Sequence, residues 1–339
     1  MKDESRAAQK DFCHRVRAQH KGLPSSVSVS WSNKQAQNMW DLSMLEDLES
    51  NFEDGNHAVL QKVDGIMGAQ KTHETFSMYI FKNQNGQSDI VSSSLKSSKA
   101  WERHEINKFI EQLIVFAERK NLKRSETYFI DIGSNVGYFS LSAAAAGFQV
   151  IAVEAMSVNQ FAMRMSMCAN EEIGQAVSLI PVALSFENLH CDLFSRGSNA
   201  LDGTIRCGPP EELEALTTRD GFIKRQDVEV ARLDDVLKDW IPSLAGRIGA
   251  LKIDTEGLEP YIIQGGPTFL STAKPAYIQM EVSPMSIHAT NVDAIKLLNW
   301  MELFGYSVHE SADGPPVKPK DITIHNPGPQ NAFLYAKNP

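Results

Sequence analysis

Three charged side chains at alternate positions interrupt an apolar run late in the chain. The run is Ile248–Gly257, and it carries Lys252, Asp254 and Glu256. Side chains two positions apart on a strand point to the same face, so we expect these three to lie side by side. A charge in a buried strand has to be paired or functional. The pattern allows a structural Lys252–Asp254 ion pair, and it also predicts a catalytic site containing all three residues.

A second candidate site lies at a strand–turn–helix transition earlier in the chain. The apolar run Tyr128–Gly133 carries Asp131 near its end, and Ser134–Gly137 leads into a helix of small residues. A second strand, Gln149–Glu154, ends in an acid about 20 residues beyond the first glycine. Glycine lets the backbone turn sharply beside a ligand, and a carboxylate at that strand end can accept hydrogen bonds from a ribose diol. The pattern therefore predicts a nucleotide-binding crevice.

The residue between the two glycines indicates which nucleotide fits. Asn135 occupies the position that is the second glycine of a dinucleotide-binding loop, where a pyrophosphate needs bare backbone. S-adenosylmethionine (SAM) has no phosphate, so the loop favours SAM over a nicotinamide dinucleotide. The predicted cofactor contacts are Asp131, Gly133, Ser134, Asn135, Gly137, Tyr138, Glu154, Ala155, Ala183, Leu184 and Asp254.

Strands and helices alternate around these two sites. This pattern predicts a Rossmann-like α/β fold, with a mostly parallel seven-stranded sheet, helices on both faces and an N-terminal helical and hairpin appendage. We assign residues 1–75 to a partly mobile appendage, 76–122 to a hairpin and an amphipathic helix, and 123–339 to the SAM-binding domain. In the hairpin, Phe76–Phe81 pairs with Asp89–Ser92 through a turn at Asn83–Gly86. The irregular residues 186–226 are expected to form an insertion over the crevice.

Composition limits the partners and the compartment. The 339 residues carry a formal net charge of -9, which disfavours a nucleic-acid partner. No apolar run is long enough to cross a membrane, and no apolar signal segment begins the chain. We expect a soluble protein, cytoplasmic or, if an N-terminal anchor has been removed, lumenal. The four cysteines lack paired short spacings, which predicts reduced thiols and no structural zinc.

Four motifs follow one another along the chain: Phe129–Ser140, Leu233–Asp235, Leu251–Glu259 and Ile278–Glu281. In this order they resemble the motifs of the FkbM-type SAM-dependent methyltransferases. The resemblance covers roughly residues 89 to 310, and Asp89 with Trp101 and Glu102 resembles the segment that precedes the SAM domain in that family. The chain departs from the family pattern at Ser134, where alanine is usual.

The resemblance implies a class I methyltransferase fold and O-methylation, with SAM as donor and a hydroxyl of a sugar, glycan or small natural product as acceptor. An alcohol needs a base to take its proton, and Glu256 is the predicted base, beside Asp254 and Lys252. The related macrocin-type sugar O-methyltransferases hold a divalent ion with acids at the equivalent strand ends. By that likeness Asp254 and Glu281 are expected to bind Mg²⁺.

Two alternatives remain open at this point. One is a non-catalytic SAM-fold protein that binds a partner as a scaffold. The other is a nucleic-acid methyltransferase, although the Asn/Asp-Pro-Pro-Tyr/Phe motif that grips a flipped base is missing and the net charge is unfavourable. Binding of SAM would separate an enzyme from a scaffold.

Overall fold

The computed structural model describes residues 13, 59–62, 75–81, 89–98, 100–209, 211, 213–214, 221–283, 290, 292–322 and 330–337. Most of the predicted appendage, residues 1–75, therefore lies outside the described residues, as does the turn expected at Asn83–Gly86. None of the helices in the described ranges combines the length and apolar character that a bilayer crossing needs.

The described strands and helices follow one another in the alternation that the sequence predicts. The strands are β1 (Val59–Lys62), β2 (Thr75–Met78), β3 (Tyr128–Ile132), β4 (Gln149–Val153), β5 (Val177–Ile180), β6 (Ala183–Ser185), β7 (Leu189–Arg196), β8 (Asn199–Arg206), β9 (Phe222–Arg232), β10 (Ile248–Ile253), β11 (Tyr277–Val282), β12 (Tyr306–His309), β13 (Pro316–Val317) and β14 (Gln330–Ala336). The helices are α1 (Ile90–Ser98), α2 (Arg103–Lys120), α3 (Tyr138–Ala145), α4 (Ser157–Ala169), α5 (Glu171–Gly174), α6 (Leu233–Leu237), α7 (Ile241–Leu244), α8 (Glu259–Gly265) and α9 (Ala294–Leu303). Short 3₁₀ turns at Arg124–Glu126 and Pro319–Asp321 and a π-helical turn at Phe269–Ala273 complete them.

The large sheet has the order β13-β12-β14-β11-β10-β3-β4-β5. The five strands β5, β4, β3, β10 and β11 are parallel, whereas β14 pairs antiparallel with both β11 and β12. This confirms the Rossmann-like α/β prediction, and the two-residue strand β13 adds an eighth, edge strand to the seven expected. The strand order reverses between β3 and β10, so a crevice opens there at the carboxyl ends of the strands.

The helix α2 covers one face of this sheet, as its apolar periodicity predicts. Its residues Ile106, Phe109, Ile110 and Leu113 are buried. The Phe109 ring lies 5.1 Å from the ring of Phe129 on β3, measured between centroids. Spacings of three and four residues put these side chains on one helix face, and their burial fixes the helix on the sheet.

The predicted hairpin between residues 76 and 92 is wrong. Strand β2 instead pairs antiparallel with β1, across the proposed boundary at residue 75, and residues 90–98 form α1. Asp89 decides this, because its carboxylate accepts a hydrogen bond from the Ser92 backbone at the start of the helix. Val91 and Leu95, four residues apart, then face the core.

The insertion at 186–226 is more regular than expected. Strands β7 and β8 form an antiparallel hairpin that joins β6 and β9 in a second, four-stranded sheet of order β6-β9-β7-β8. The apolar side chains of Cys191, Leu193, Ala200 and Leu201 are buried against the main domain. Burial of this hairpin compensates for the glycines that weaken its strand pattern in the sequence.

The expectation of reduced thiols is also wrong, because all four cysteines form disulfides. Cys13 bonds to Cys168 on α4, and Cys191 on β7 bonds to Cys207 just after β8. The partners are 155 and 16 positions apart in the sequence, yet their Cα atoms lie 5.6 and 4.5 Å apart. Sequence spacing failed as a guide for two reasons: Cys13 meets Cys168 only through tertiary folding, and Cys191 meets Cys207 through the register of a hairpin that the sequence did not predict.

Candidate functional site

A cavity of about 340 Å³ opens at the carboxyl ends of β3, β4, β10 and β11. It contains both candidate sites that the sequence predicts, together with residues of the β7–β8 hairpin and the segment around Trp101. All predicted site residues except Gly137 line it: Asp131, Gly133, Ser134, Asn135, Tyr138, Glu154, Ala155, Ala183, Leu184, Lys252, Asp254, Glu256 and Glu281.

The loop after β3 has the backbone conformation that its glycines allow. Gly133, Asn135 and Gly137 all have positive φ, at 81°, 51° and 88°. A Cβ at Gly133 would collide with the carbonyl oxygen of Asp254, so glycine is what lets the loop pass the end of β10. Gly137 faces Met163 rather than the cavity, and its role is conformational.

Asn135 ties this loop to the β7–β8 hairpin. Its Nδ2 donates to the carbonyl oxygen of Leu201 at 3.1 Å, and its Oδ1 accepts from the Val136 backbone at 2.7 Å. The side chain at the position of the second glycine thus has a structural task that glycine could not perform. The hairpin covers the crevice because it is held by this contact and by Asn159, which donates to the same carbonyl at 2.9 Å.

Glu154 follows the end of β4 and is buried at the floor of the cavity. Its carboxylate accepts hydrogen bonds from the backbone N–H groups of Asn135 and Met156, both at 2.8 Å, and from Asn159 Nδ2 at 3.3 Å. Burial raises the pKa of Glu154 to about 7, although these hydrogen bonds favour the charged form. The acid is therefore placed beside the glycine loop, as a ribose-binding carboxylate must be.

Asp131 offers a buried acceptor that no described residue uses. Its Oδ2 accepts from Ser140 Oγ at 2.6 Å, whereas Oδ1 has no hydrogen-bond partner among the described residues. Burial raises the pKa of Asp131, and the charge of Lys252 opposes this. An orphaned acceptor lining this cavity suits the ammonium group of SAM, so the donor set fits that cofactor.

Lys252 and Asp254 form the ion pair that the sequence allowed. Lys252 Nζ lies 2.7 Å from Asp254 Oδ2 and 5.0 Å from the centroid of the Phe139 ring. Burial works against the charged amine, but Asp254 and Asp131 outweigh it and raise the pKa of Lys252. The pairing does not remove either residue from the cavity, because both line it.

The predicted strand through Gly257 ends early. Strand β10 stops at Ile253, and Glu256 reaches the cavity from a turn in which its own φ is 55°. Strand alternation therefore does not explain why Glu256 lies near Asp254. A positive φ at a glutamate costs about 1 kcal/mol or more, and such residues concentrate at functional sites.

Asp202 on β8 is a site residue that the sequence reading missed. Its carboxyl shares a hydrogen bond with Glu256, and both line the cavity near Asp254 and Glu281. Desolvation, with the charges of Asp202 and Glu281, raises the pKa of Glu256 to about 10. Burial, with the charge of Asp254, raises that of Glu281 to about 9. No sequence signal distinguished Asp202, because it lies in an insertion and not at the end of a predicted parallel strand.

Carboxylate oxygens of Asp254, Glu256 and Glu281 lie within 4.8 Å of one another. This set contains both acids that the sequence analysis named as metal ligands and adds Glu256. Glu281 Oε2 is buried without a hydrogen-bond partner among the described residues. Hard oxygen donors at this spacing suit Mg²⁺.

The segment that resembles the region before the SAM domain also reaches the cavity. Trp101 and Glu102 line it, as do Ile90 and Val91 at the start of α1. Asp89 does not line the cavity; it acts at the start of α1, as described above. The segment thus contributes a wall to the site.

The parallel strand order, the glycine loop and the buried acid after β4 define a Rossmann-like methyltransferase. The family model for the methyltransferase FkbM domain matches residues 131–308, more than half of the chain. The chain belongs to the FkbM methyltransferase family, and SAM is its methyl donor. No curated protein sequence matches it.

Three solved structures illustrate the structural likeness. Precorrin-6y C5,15-methyltransferase from Geobacter metallireducens GS-15 is 12% identical over 76% of this chain and 98% of that one, with a TM-score of 0.34. The bifunctional kinase-methyltransferase WbdD is 12% identical over 75% of this chain and 44% of its own, with a TM-score of 0.38. A TehB-like SAM-dependent methyltransferase from Corynebacterium glutamicum ATCC 13032 is 10% identical over 72% and 98%, with a TM-score of 0.33. Because all three TM-scores are below 0.5, the assignment of the fold rests on the strand order and not on these structures.

Proposed function

We propose that this chain is an O-methyltransferase whose acceptor is a hydroxyl of a sugar, a glycan or a small natural product. The observation that carries the proposal is the convergence of Asp202, Asp254, Glu256 and Glu281 on the cavity that contains the glycine loop. Methyl transfer to a hydroxyl needs a group that removes a proton, and carboxyl groups supply it.

When bound, SAM supplies a methyl carbon attached to a sulfonium, which is a good leaving group. The acceptor oxygen forms a bond to that carbon while the carbon–sulfur bond breaks and its electron pair stays on sulfur, giving S-adenosylhomocysteine (SAH). The residues of the chain hold the hydroxyl in line with the methyl group, which accounts for much of the rate acceleration. The hydroxyl proton passes to a carboxylate.

We assign that carboxylate to the hydrogen-bonded pair Asp202 and Glu256. A pKa of about 10 keeps Glu256 protonated at neutral pH, and its carboxyl donates to Asp202. A positive charge beside the cluster would lower the pKa values of its acids, and the ionised pair would then supply the base predicted from the sequence. Lys252 and Asp254 then position the pair without taking the proton.

We also propose that Asp254 and Glu281 bind Mg²⁺ and orient an acceptor diol, with Glu256 close to both and left to take the proton. The buried, unpartnered Glu281 Oε2 supports this, because a cation would satisfy it. The Lys252 contact leaves Asp254 with one oxygen for a metal. Thermal unfolding with and without Mg²⁺ tests the site independently of activity. Stabilisation by Mg²⁺ that is lost in Glu281→Gln supports it, and unchanged unfolding together with unchanged turnover after chelation contradicts it.

The disulfides support a lumenal or other oxidising compartment over the cytoplasm. Two bonds that use every cysteine of the chain are rare where glutathione keeps thiols reduced. Alkylation of the protein isolated from its source, followed by mass spectrometry, tests this. Four alkylated thiols without added reductant would contradict it.

Incubation with methyl-labelled SAM and a panel of glycosides and hydroxylated natural products tests the transferase proposal. We expect a mass gain of one methyl group on an acceptor, and an O-methyl carbon in its NMR spectrum. A product methylated on nitrogen, sulfur or carbon would contradict the oxygen assignment. Absence of SAH binding in calorimetry would instead favour the scaffold alternative.

A further inference from the structure

A second, smaller cavity of about 160 Å³ adjoins the first. The two share Asn199, Asp202 and Glu256 as lining residues, so the carboxyl pair stands between them. The first cavity is lined by all the predicted SAM contacts except Gly137, and the second by none of them. An acceptor that approaches the carboxyl pair from the side opposite the cofactor would occupy the second cavity.

The remaining lining residues add two arginines to this cavity. They are Arg196, Thr204, Arg206 and Phe222. On β8, the residues Asp202, Thr204 and Arg206 alternate and therefore share one face of the strand. Arg206 thus lies roughly 13 Å of strand beyond Asp202. Arg196 lies on the other strand of the hairpin, opposite Asn199 and near the turn, so the two arginines flank the carboxyl pair in one cavity.

Neither arginine is paired with an acid among the described residues. Arg206 Nη1 donates to Thr204 Oγ1 at 2.6 Å and to the Ile205 carbonyl oxygen at 2.8 Å, which leaves its Nε and Nη2 donors. The Arg196 guanidinium lies 4.5 Å from the centroid of the Phe222 ring. The nearby Lys224 behaves differently, because it contacts both Asp192 and Asp227.

An arginine that is half-buried and lacks a counter-charge indicates that a ligand supplies one. Arg206 is in that position, and its remaining donors form the planar fork that binds carboxylate or phosphate in a bidentate way. The chain carries a net charge of -9, so a general attraction for anions cannot explain two unpaired arginines here.

We infer that this cavity is the acceptor subsite and that it takes an acidic glycan, whose carboxylate or phosphate binds Arg206 while a hydroxyl reaches the Asp202–Glu256 pair. Arg196 adds a second positive charge to the lining of the same cavity. The inference rests on the proposed O-methylation and narrows its substrate class. It also assigns the β7–β8 hairpin a role in specificity, since Arg196, Arg206 and the shared Asp202 all belong to it.

Calorimetry on the full chain saturated with SAH tests the inference. The probes are methyl β-D-glucuronide, glucose 6-phosphate and, as the neutral control, methyl β-D-glucoside. We expect one anionic probe to bind at least about 10-fold more tightly than the neutral one, and more weakly as salt is added. The glucuronide and the phosphate arms distinguish a uronic acid from a phosphorylated sugar.

Variants of the two arginines test where the anionic probe binds. Arg206→Gln should weaken the anionic probe at least about 10-fold and leave the neutral probe unchanged, Arg196→Gln should act in the same direction, and Arg206→Lys should retain part of the affinity. Arg247→Gln removes an exposed arginine just before β10, at the opposite end of that strand, and should change nothing. Unchanged SAH affinity in each variant shows that the fold is intact.

Three results overturn the inference: equal affinity for neutral and anionic probes, wild-type affinity in Arg206→Gln, or no binding of either anionic probe. The readout does not depend on methyl transfer. If Arg206-dependent binding is found but no labelled product forms, the proposed function fails and the subsite stands. If neutral glycosides are methylated equally well by wild type and Arg206→Gln, the subsite fails and the O-methyltransferase stands.

Discussion

The ammonium group of Lys252 and the carboxylate of Asp254 are 2.7 Å apart at the carboxyl end of β10, in the middle of the sheet. The Lys252 side chain is 8% exposed and that of Asp254 is 35% exposed. The charge of the buried Asp131 also raises the pKa of Lys252, together with those of Asp254 and Glu102. The ammonium group of Lys252 therefore lies between Asp131, at the predicted cofactor end of the cavity, and the acids Asp254, Glu256, Glu281 and Asp202.

Replacing Lys252 by methionine should lower the free energy of unfolding by up to about 3 kcal/mol. This is the lower end of the range for breaking a buried pair, because Asp254 keeps some contact with water. Lys108→Met is the control: it breaks contacts with the exposed acids Glu111 and Asp313 and should cost less than about 1 kcal/mol. Urea unfolding of both variants measures the difference, and equal losses would show that burial does not strengthen the Lys252 contact.

The raised pKa of Glu154 leads us to expect opposite pH trends for the stability of the fold and for cofactor binding. Burial raises its pKa from 4.5 to about 7, so its contribution to stability is complete below about pH 4.5 and is lost as pH rises through 7. Affinity for SAH should rise instead, because the ionised acid is the better acceptor for ribose hydroxyls. From pH 6 to 8 its ionised fraction, and with it the affinity, increases about 10-fold.

Calorimetric titration of SAH across that range checks the Glu154 prediction. Glu154→Gln is the control, since the amide has a similar shape and does not titrate. Its SAH affinity should be weaker at pH 8 and nearly flat with pH. A variant that keeps the wild-type pH dependence would show that another group, such as Glu259 with a pKa also near 7, is responsible.

Gly133→Ala should abolish or severely weaken SAH binding and destabilise the fold. The new methyl group meets the Asp254 carbonyl oxygen, and the residue has a φ of 81°. Gly246→Ala separates the two effects, because its φ is 72° and open space surrounds it. Its free energy of unfolding should fall only by the cost of backbone strain, about 1–2 kcal/mol. Similar melting temperatures for the two variants would contradict the close approach at Gly133.

Asp202→Asn and Glu256→Gln should each lower kcat by about 100-fold or more while SAH affinity stays close to wild type. The reason is that, in the proposed mechanism, the pair takes the acceptor proton and does not hold the cofactor. Ser198→Ala on the same hairpin is a suitable control and should keep its activity. A loss of SAH binding that parallels the loss of kcat would assign the two acids to cofactor binding instead.

Removing the disulfides should destabilise the chain according to the loop each one closes. The chain-entropy relation gives about 3 kcal/mol for the 16-residue separation of Cys191 and Cys207 and about 5 kcal/mol for the 155-residue separation of Cys13 and Cys168. Chemical unfolding of the two double Cys→Ser variants measures both. A larger loss for Cys191→Ser/Cys207→Ser would indicate that contacts within the hairpin, not chain entropy, dominate.

The sequence alone predicts the parallel sheet, its glycine loop and the position of Glu154, because these depend on local patterns. An apolar run indicates a buried strand, and a glycine indicates a turn that needs positive φ. Glu154 directly follows the second parallel strand, so its position is known once that strand is predicted. The same local logic predicts that Lys252 and Asp254 share a face. The family resemblance adds the donor and the reaction class.

Only the tertiary structure decides the composition of the acid cluster, the second sheet and the disulfides. Asp202 meets Glu256 because a hairpin more than 50 residues earlier in the chain folds over the crevice, and no period of two or 3.6 residues encodes that contact. Likewise Cys13 meets Cys168 across most of the domain. Local propensity determines the individual helices and strands. Contacts between distant segments depend on which apolar faces are buried together, and that depends on the whole chain.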